Sequence, residues 1–231
     1  IDGHCEASQI EAGGDIIIRK GCQGKGLGKI IAGKSIVGQF FESAVLTAGK
    51  DVQATYLLNC QLKANGKLLV EGRKGVIIGG KTCAKLGVSC NGIGNIAEIA
   101  TVVSVGIDKE DMTAYQELQK KIEQTQAELQ TCENGLNKLM ANPVHDEKVS
   151  MMIQRLTRAV YTLKSSRKEL FSERNAQMEQ MTKQKEARIQ VSGRAYPGTL
   201  LFLNEDPFAI KEIYNNVEFV KHDNRIDTLA H

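Results

Sequence analysis

A short phrase repeats through the first half of the chain: "AGGDI" at 12–16 returns as "AGKSI" at 32–36 and "AGKDV" at 48–52. Looser copies follow as "ANGKL" at 64–68 and "GGKTC" at 79–83, so the starts are 20, 16, 16 and 15 residues apart. A near-fixed period of this length marks a solenoid in which each repeat is one rung, and it is too short for helical or leucine-rich repeats. Each copy holds a small residue, a glycine free to take positive φ, a polar residue and then an apolar one. That is the chemistry of a tight turn feeding an inward-facing strand position. IIIRK, VLTAG, LLVEG and VIIGG supply short strands between the turns.

Stacked rungs pair strand over strand at about 4.8 Å, so five of them predict a prism of about 24 Å. Ile, Val, Leu, Ala and Cys take the interior positions. Residues 1–107 carry 19 of the 22 glycines and no proline, and the missing proline matters because each strand needs its N–H for the next rung. The strict six-residue steps and loop histidine of a hexapeptide acyltransferase are not seen. The expected fold is mainly β plus α, with a parallel, right-handed β-helix as its main body.

Composition changes at 108. Residues 108–188 hold one glycine (Gly135) and one proline (Pro143), with dense Glu, Gln, Lys and Leu. Leu118, Ile122, Thr125, Leu129, Cys132, Leu136 and Leu139 alternate in steps of four and three, a heptad seam. Val149, Ile153, Leu156, Val160 and Leu163 keep the same rhythm, followed by Arg167, Leu170, Arg174 and Met181. In "ANPVHD" (141–146) Pro143 breaks the helix and Asp146 is placed to cap the next one. The pattern predicts a long antiparallel coiled-coil helical hairpin whose first arm, about 30 residues, reaches about 45 Å. The two arginines in the seam predict a base looser than the tip. "ARIQVSGRAYPGTLLFL" (187–203) then reads as the β-helix resuming. The expected organisation is β-helix rungs over 1–107, the hairpin over 108–188, returning strands over 189–222 and a tail over 223–231. EFVKH (218–222) is the last expected strand. The returning segment and the hairpin base are the candidates for covering the open strand edge.

Taken in order, the A-G repeats, the block "GRKGVIIGGKTCAKLGVSCNGIG", the heptad hairpin and "RIQVSGRAYPGTLLFL" resemble the bacterial flagellar assembly protein A family. That family was formerly a domain of unknown function, and the resemblance covers nearly the whole chain. It implies a cytoplasmic, non-enzymatic protein needed for flagellation and associated with the cell pole. It also implies polar and flagellar protein partners, together with the glucose-specific enzyme IIA of the phosphotransferase system, and so a link between sugar status and motility. Family members carry a further domain N-terminal to this one, and no catalytic motif is available to transfer. The ending "VKHDNRIDTLAH" departs from the short apolar endings of the family.

The sharper motifs dissolve on inspection. "GVIIGGKT" (75–82) matches the letters of a phosphate-binding loop, but Val76-Ile77-Ile78-Gly79 reads as strand and the glycines that follow prevent a long helix. Lys81-Thr82 are expected in the turn slots of Lys34-Ser35 and Lys50-Asp51. "GKGLGK" (24–29) lacks dinucleotide spacing and, at the longer first interval, predicts a looped-out turn whose Lys25 and Lys29 face an acidic partner. Six cysteines, at 5, 22, 60, 83, 90 and 132, form no C-x-x-C pair and are expected as buried free thiols. His4, His145, His222 and His231 are scattered, as are Asp15, Glu42, Asp51 and Glu71, so no metal, cofactor or catalytic site is expected. A net charge of +3 argues against nucleic acid, and no apolar run is long enough for membrane insertion. The opening IDGHCEASQI lacks a signal-peptide pattern.

The remaining candidates are surfaces. In "GQFFES" (38–43) neighbouring strand residues face opposite sides, so one of Phe40 and Phe41 is expected to point outward as an interface anchor. The hairpin reads as a partner-binding arm, with homo-oligomerisation through the coiled coil left open. The expected role is a scaffold or adaptor for flagellar assembly and polar organisation. The alternative is a β-helical polymer-forming cytoskeletal protein, bactofilin-like or division-inhibitor-like.

Overall fold

The computed structural model describes residues 1–72, 75–141, 146–223 and 225–230. Two compact units emerge, one made of Ile1–Asp108 with Met181–His231 and the other of Lys109–Gln180. The first is a β-solenoid of about five turns.

Its first turn is β1 (His4–Glu6) and β2 (Gln9–Ala12), both paired in parallel with β3 (Ile16–Ala32). β3 pairs with β4 (Ile36–Ala48), and the stack continues through β5 (Val52–Ala54), β6 (Tyr56–Ala64), β7 (Lys67–Val70), β8 (Val76–Ala84), β9 (Gly87–Ile93) and β10 (Thr101–Val105). A turn has three straight segments, 36–38, 40–42 and 44–48 in the case of β4. Alternation within each segment sends one set of side chains inward. Like then stacks on like. Ile16, Ile36, Val52, Leu68, Val88 and Ile189 form one buried column. Cys22, Phe41, Leu57, Ile77 and Ile93 form a second, and Ile30, Leu46, Leu62, Thr82, Val103 and Leu201 a third. Ala32, Ala48, Ala64 and Ala84 line the corner before the tight turn, where a larger side chain has no room.

The turn itself explains the repeated phrase. The N–H groups of Gly33, Gly49, Asn65 and Lys85 donate to the carbonyls of Ala12, Ala32, Ala48 and Ala64, one rung below. Asp15 accepts the N–H of Ser35 at 2.9 Å, and Asp51 accepts that of Lys67 at 2.7 Å, so the polar residue of the motif staples consecutive turns. The phase of the fifth copy differs from the expectation. Ala64 aligns with Ala84 and Leu68 with Val88, so the repeat is "AKLGV" at 84–88, not "GGKTC" at 79–83. The reason is an insertion: Ala54 pairs with Val70 but Tyr56 with Val76, which leaves four extra residues between those rungs. Lys81 accordingly lies over Gln61 and Thr82 over Leu62, not in the Lys34-Ser35 slot.

The looped-out turn expected in "GKGLGK" is present. Register slips by three residues between Gln23 and Gly28, and by one more between Ile18 and Gly21. Together they account for the longer first interval while both flanking columns stay aligned.

After β10 the chain leaves for α1 (Lys109–Met140) and α2 (Glu147–Lys185), then returns as β11 (Ile189–Ala195) on β9 and β12 (Thr199–Leu203) on β10, both parallel. Asn204 holds the point of exit and return. Its Oδ1 accepts the Ile107 N–H at 2.9 Å and its Nδ2 donates to the Lys185 carbonyl at 3.2 Å. The strands that follow are antiparallel: β13 (Asp206–Ala209) on β12, β14 (Tyr214–His222) on β11, and β15 (Arg225–Ala230) on β14. The segment read as a tail therefore contains a strand. Phe208, Tyr214 and Phe219 cluster with ring centroids 5.5–6.3 Å apart and close that end of the core. Of the two candidates for the cap, the returning segment supplies this cover.

In the second unit, the residues of the expected seams are the less exposed ones along both helices, with Leu118, Ile122, Leu129 and Val160 buried. Contacts between the helices run in opposite chain order: Gln177 donates to Asp111, Arg167 to Gln126 at 3.0 Å, and Lys164 pairs with Glu133 at 2.8 Å. Asp146 caps α2 by accepting the Val149 N–H at 2.7 Å. Pro143 and His145 of "ANPVHD" lie outside the described residues, as does His231.

Gly80 tests the register argument. Its φ is +74°, and a Cβ there would fall inside the van der Waals shell of the Cys60 carbonyl oxygen in the neighbouring rung. Gly80→Ala is expected to lower the unfolding free energy by about 2 kcal/mol or more. Gly13→Ala, with nothing within 4 Å of the added carbon, is expected to leave it level or raise it by up to about 1 kcal/mol. Urea titration of both variants measures the difference.

Candidate interaction surfaces

The residues 75–82 that spell a phosphate loop fold as strand and corner. β8 runs without interruption through Thr82, whose side chain is 1 % exposed inside the core column. Gly79 and Gly80 have φ of +69° and +74° because the chain turns a corner there, the same corner that Ala7, Ser43 and Asn59 take at φ 44–49°. The Gly79 N–H points at the neighbouring Thr101 hydroxyl, 2.8 Å away, so it is used within the stack. No helix starts at this loop, and the lysine sits on an outer face. Nothing here resembles an anion cradle.

Phe40 and Phe41 divide as the alternation requires. Phe41 is 0 % exposed and fills the space above Gly38, so it serves the core. Phe40 is half-buried on the outer face and stacks on Tyr56, centroids 5.6 Å apart and planes 12° from parallel. Val76 follows Tyr56 in the same column, while Leu58 and Ile78 occupy the adjacent outward column above Glu42. The loop after β9 brings Ile99 beside the Gly79 corner and leaves Ile96 82 % exposed. The middle face of the solenoid thus presents a ladder of apolar side chains outward. Only Phe40 of this group is recognisable from its doublet. A usable signal was present in Leu57-Leu58 and Val76-Ile77-Ile78, where apolar residues run consecutively and so must occupy both sides of a strand.

The lysines are placed apart from this ladder. Lys25, at φ +48° in the looped-out turn, pairs with Glu6. Lys29 lies past the corner, on the segment aligned with Val45, and is exposed. Phe40 belongs to the segment before the corner, so the sequence candidates lie on two faces.

The chemical inventory is otherwise quiet. Among the described residues no group of three or more His, Cys, Asp or Glu is placed to hold a metal ion. All six cysteines are free. Burial raises the Cys60 thiol to about 11 and pushes Cys22 and Cys90 up as well, so these thiols stay protonated and unreactive near neutrality. Asp15 and Asp51, two of the scattered acids, are the turn staples described above. Among the described residues no helix is long and apolar enough to cross a membrane.

A stack of parallel rungs, with helices inserted at one tight turn and apolar side chains set on an outer face, defines a β-solenoid protein whose distinctive features are surfaces. The family model of the flagellar assembly protein A β-solenoid domain matches residues 1–226, and the chain belongs to that family. No curated protein and no solved structure matches it significantly.

The two phenylalanines should separate cleanly in a stability measurement. Phe41→Ala is expected to cost about 3–5 kcal/mol, the range for an aromatic removed from a close-packed core. Phe40→Ala is expected to cost about 1–2 kcal/mol, a stacked aromatic pair plus partial burial. Thermal denaturation of the two variants at matched concentration reads this out.

Proposed function

We propose that this protein is a non-enzymatic scaffold or adaptor for flagellar assembly and polar organisation. In this reading it works in the cytoplasm, binds the glucose-specific enzyme IIA phosphocarrier and so makes flagellation responsive to sugar status. Membership of a flagellar assembly family supports the biological setting. The observation that carries the adaptor reading is the outward ladder led by Phe40 and Tyr56 on a stack of hydrogen-bonded rungs. Aromatic side chains held rigidly at a surface lose little conformational freedom on binding, which makes them effective anchors. The two inserted helices act in this proposal as an antiparallel coiled-coil arm, supported by the heptad seams and by the order of the contacts between them.

The competing reading is a polymer-forming solenoid. It needs a parallel strand edge to which another stack can add. β13 and β14 cover the last turn with antiparallel strands, and Pro207 removes one N–H from the β13 segment. This favours a discrete particle.

Immobilised protein should capture enzyme IIA in its dephosphorylated form and release it on phosphorylation. Equal capture of both forms, or of neither, removes the sugar-signalling part of the proposal. Sedimentation at rising concentration should show a fixed small species, and a continuously growing one would favour the polymer.

A further inference from the structure

Along α2, Lys148, Arg155, Arg158, Lys164, Arg167 and Lys168 follow one another with no Asp or Glu between Glu147 and Glu169. Two of the six are engaged within the helix pair, Lys164 with Glu133 and Arg167 with Gln126. The other four are exposed, and among the described residues no ion pair or hydrogen bond engages their side chains. They also share a side. Ile153, Leu156, Val160, Leu163 and Arg167 are the less exposed positions, and on the half of the helix turned away from them Lys148 and Arg155, Met151 and Arg158, and Tyr161 and Lys168 each lie seven residues apart and form three adjacent rows. On these rows Met151 is 52 % exposed and Tyr161 79 %. Together they span about 30 Å.

Helices that face only water usually interleave charges one turn apart, because like charges at that spacing repel. α1 does so with Glu117, Lys120, Lys121 and Glu123. The N-terminal half of α2 instead places Arg155 next to Arg158, one turn apart. No carboxylate stands one turn from Arg155 or Arg158 on this helix, so the face is electrostatically complementary to an anionic partner.

We propose that this face of α2 docks an acidic amphipathic helix of a protein partner. The partner lies along α2, with carboxylates on Lys148, Arg155, Arg158 and Lys168 and apolar residues against Met151 and Tyr161. The thioether adapts to varied apolar shapes, and the tyrosine offers both a ring and a hydroxyl. A lipid surface fits less well, since these rows carry no Leu, Ile, Phe or Trp to sink into acyl chains. A long polyanion also fits less well, because the basic run ends where Glu169, Glu173 and Glu179 begin. A helical segment of about 20 residues matches the length. This surface does not depend on enzyme IIA being the partner.

The test uses the full chain and a labelled synthetic peptide of about 20 residues with Glu at every third or fourth position on one face and Leu beside them. A scrambled peptide of equal composition, vesicles of phosphatidylcholine with phosphatidylserine, and a short DNA duplex are the comparisons. The patterned peptide is expected to bind better than all three, with affinity falling about tenfold or more at high salt and in R155E/R158E. Circular dichroism confirms that the double variant keeps its helices, and the milder Arg158→Gln is expected to show an intermediate loss. A peptide with Lys in place of Glu is expected to bind R155E/R158E but not the parent. Absence of binding, equal binding of the scrambled peptide, unchanged binding by the reversed variant, or preference for vesicles or duplex would each overturn the proposal.

Discussion

Everything in the solenoid depends on the parallel backbone ladder between consecutive rungs. Each straight segment donates and accepts only from the turns above and below, so a rung is stable when its segments start at the same places as those of its neighbours. That requirement is strict at the tight turn, where alanine, glycine and a short polar residue recur and Asp15 and Asp51 bond to the following rung. It is lenient at the corners. Extra residues appear near Lys25 and between Val70 and Val76, and in both cases the columns on either side remain in line. The helices are themselves such an insertion, placed where β10 would otherwise turn directly into β11, with Asn204 bonded to residues at both ends of the excursion.

A backbone satisfied by its own neighbours leaves the outward side chains free of structural duty. Most of the outer positions are polar or mixed, as a solvated sheet face requires. The middle face departs from this with Phe40, Tyr56, Leu58, Val76 and Ile78, and α2 departs from it with six cations between Glu147 and Glu169 and no acidic residue among them. These are the two places to which partner binding is assigned in the proposals above. The functional reading rests on these two places and on membership of a flagellar assembly family.

Much of the architecture was legible because it is periodic. The A-G turns announce the rungs, and the steps of four and three announce the helices together with the residues that face one another. Phase was harder to read. "GGKTC" imitates the turn phrase, yet its two glycines belong to a corner of positive φ, and the true fifth turn at Ala84 has lysine and leucine in the glycine slots. Nothing in the composition of 71–75 marks it as an insertion, so reading "GGKTC" as a turn phrase misplaced Lys81 and Thr82. Strand direction is likewise invisible locally, and β13 to β15 are antiparallel because short connections at Asn204 and Asp223 send the chain back on itself. The apolar ladder was half legible. The phenylalanine doublet stood out, but Tyr56 and Val76 gain their meaning only from lying 16 and 36 residues on in the same column.

The proposed function places the working residues on outer surfaces and leaves the motif at 75–82 to the stack alone. Complementation of flagellation in cells lacking the gene tests it directly, by comparing Phe40→Ser, R155E/R158E and the pair Lys81→Ala with Thr82→Val. The surface variants are predicted to accumulate normally and to lose flagella, while the Lys81/Thr82 pair restores them fully. Full flagellation with both surface variants, or its loss with the Lys81/Thr82 pair at normal protein level, would overturn that assignment.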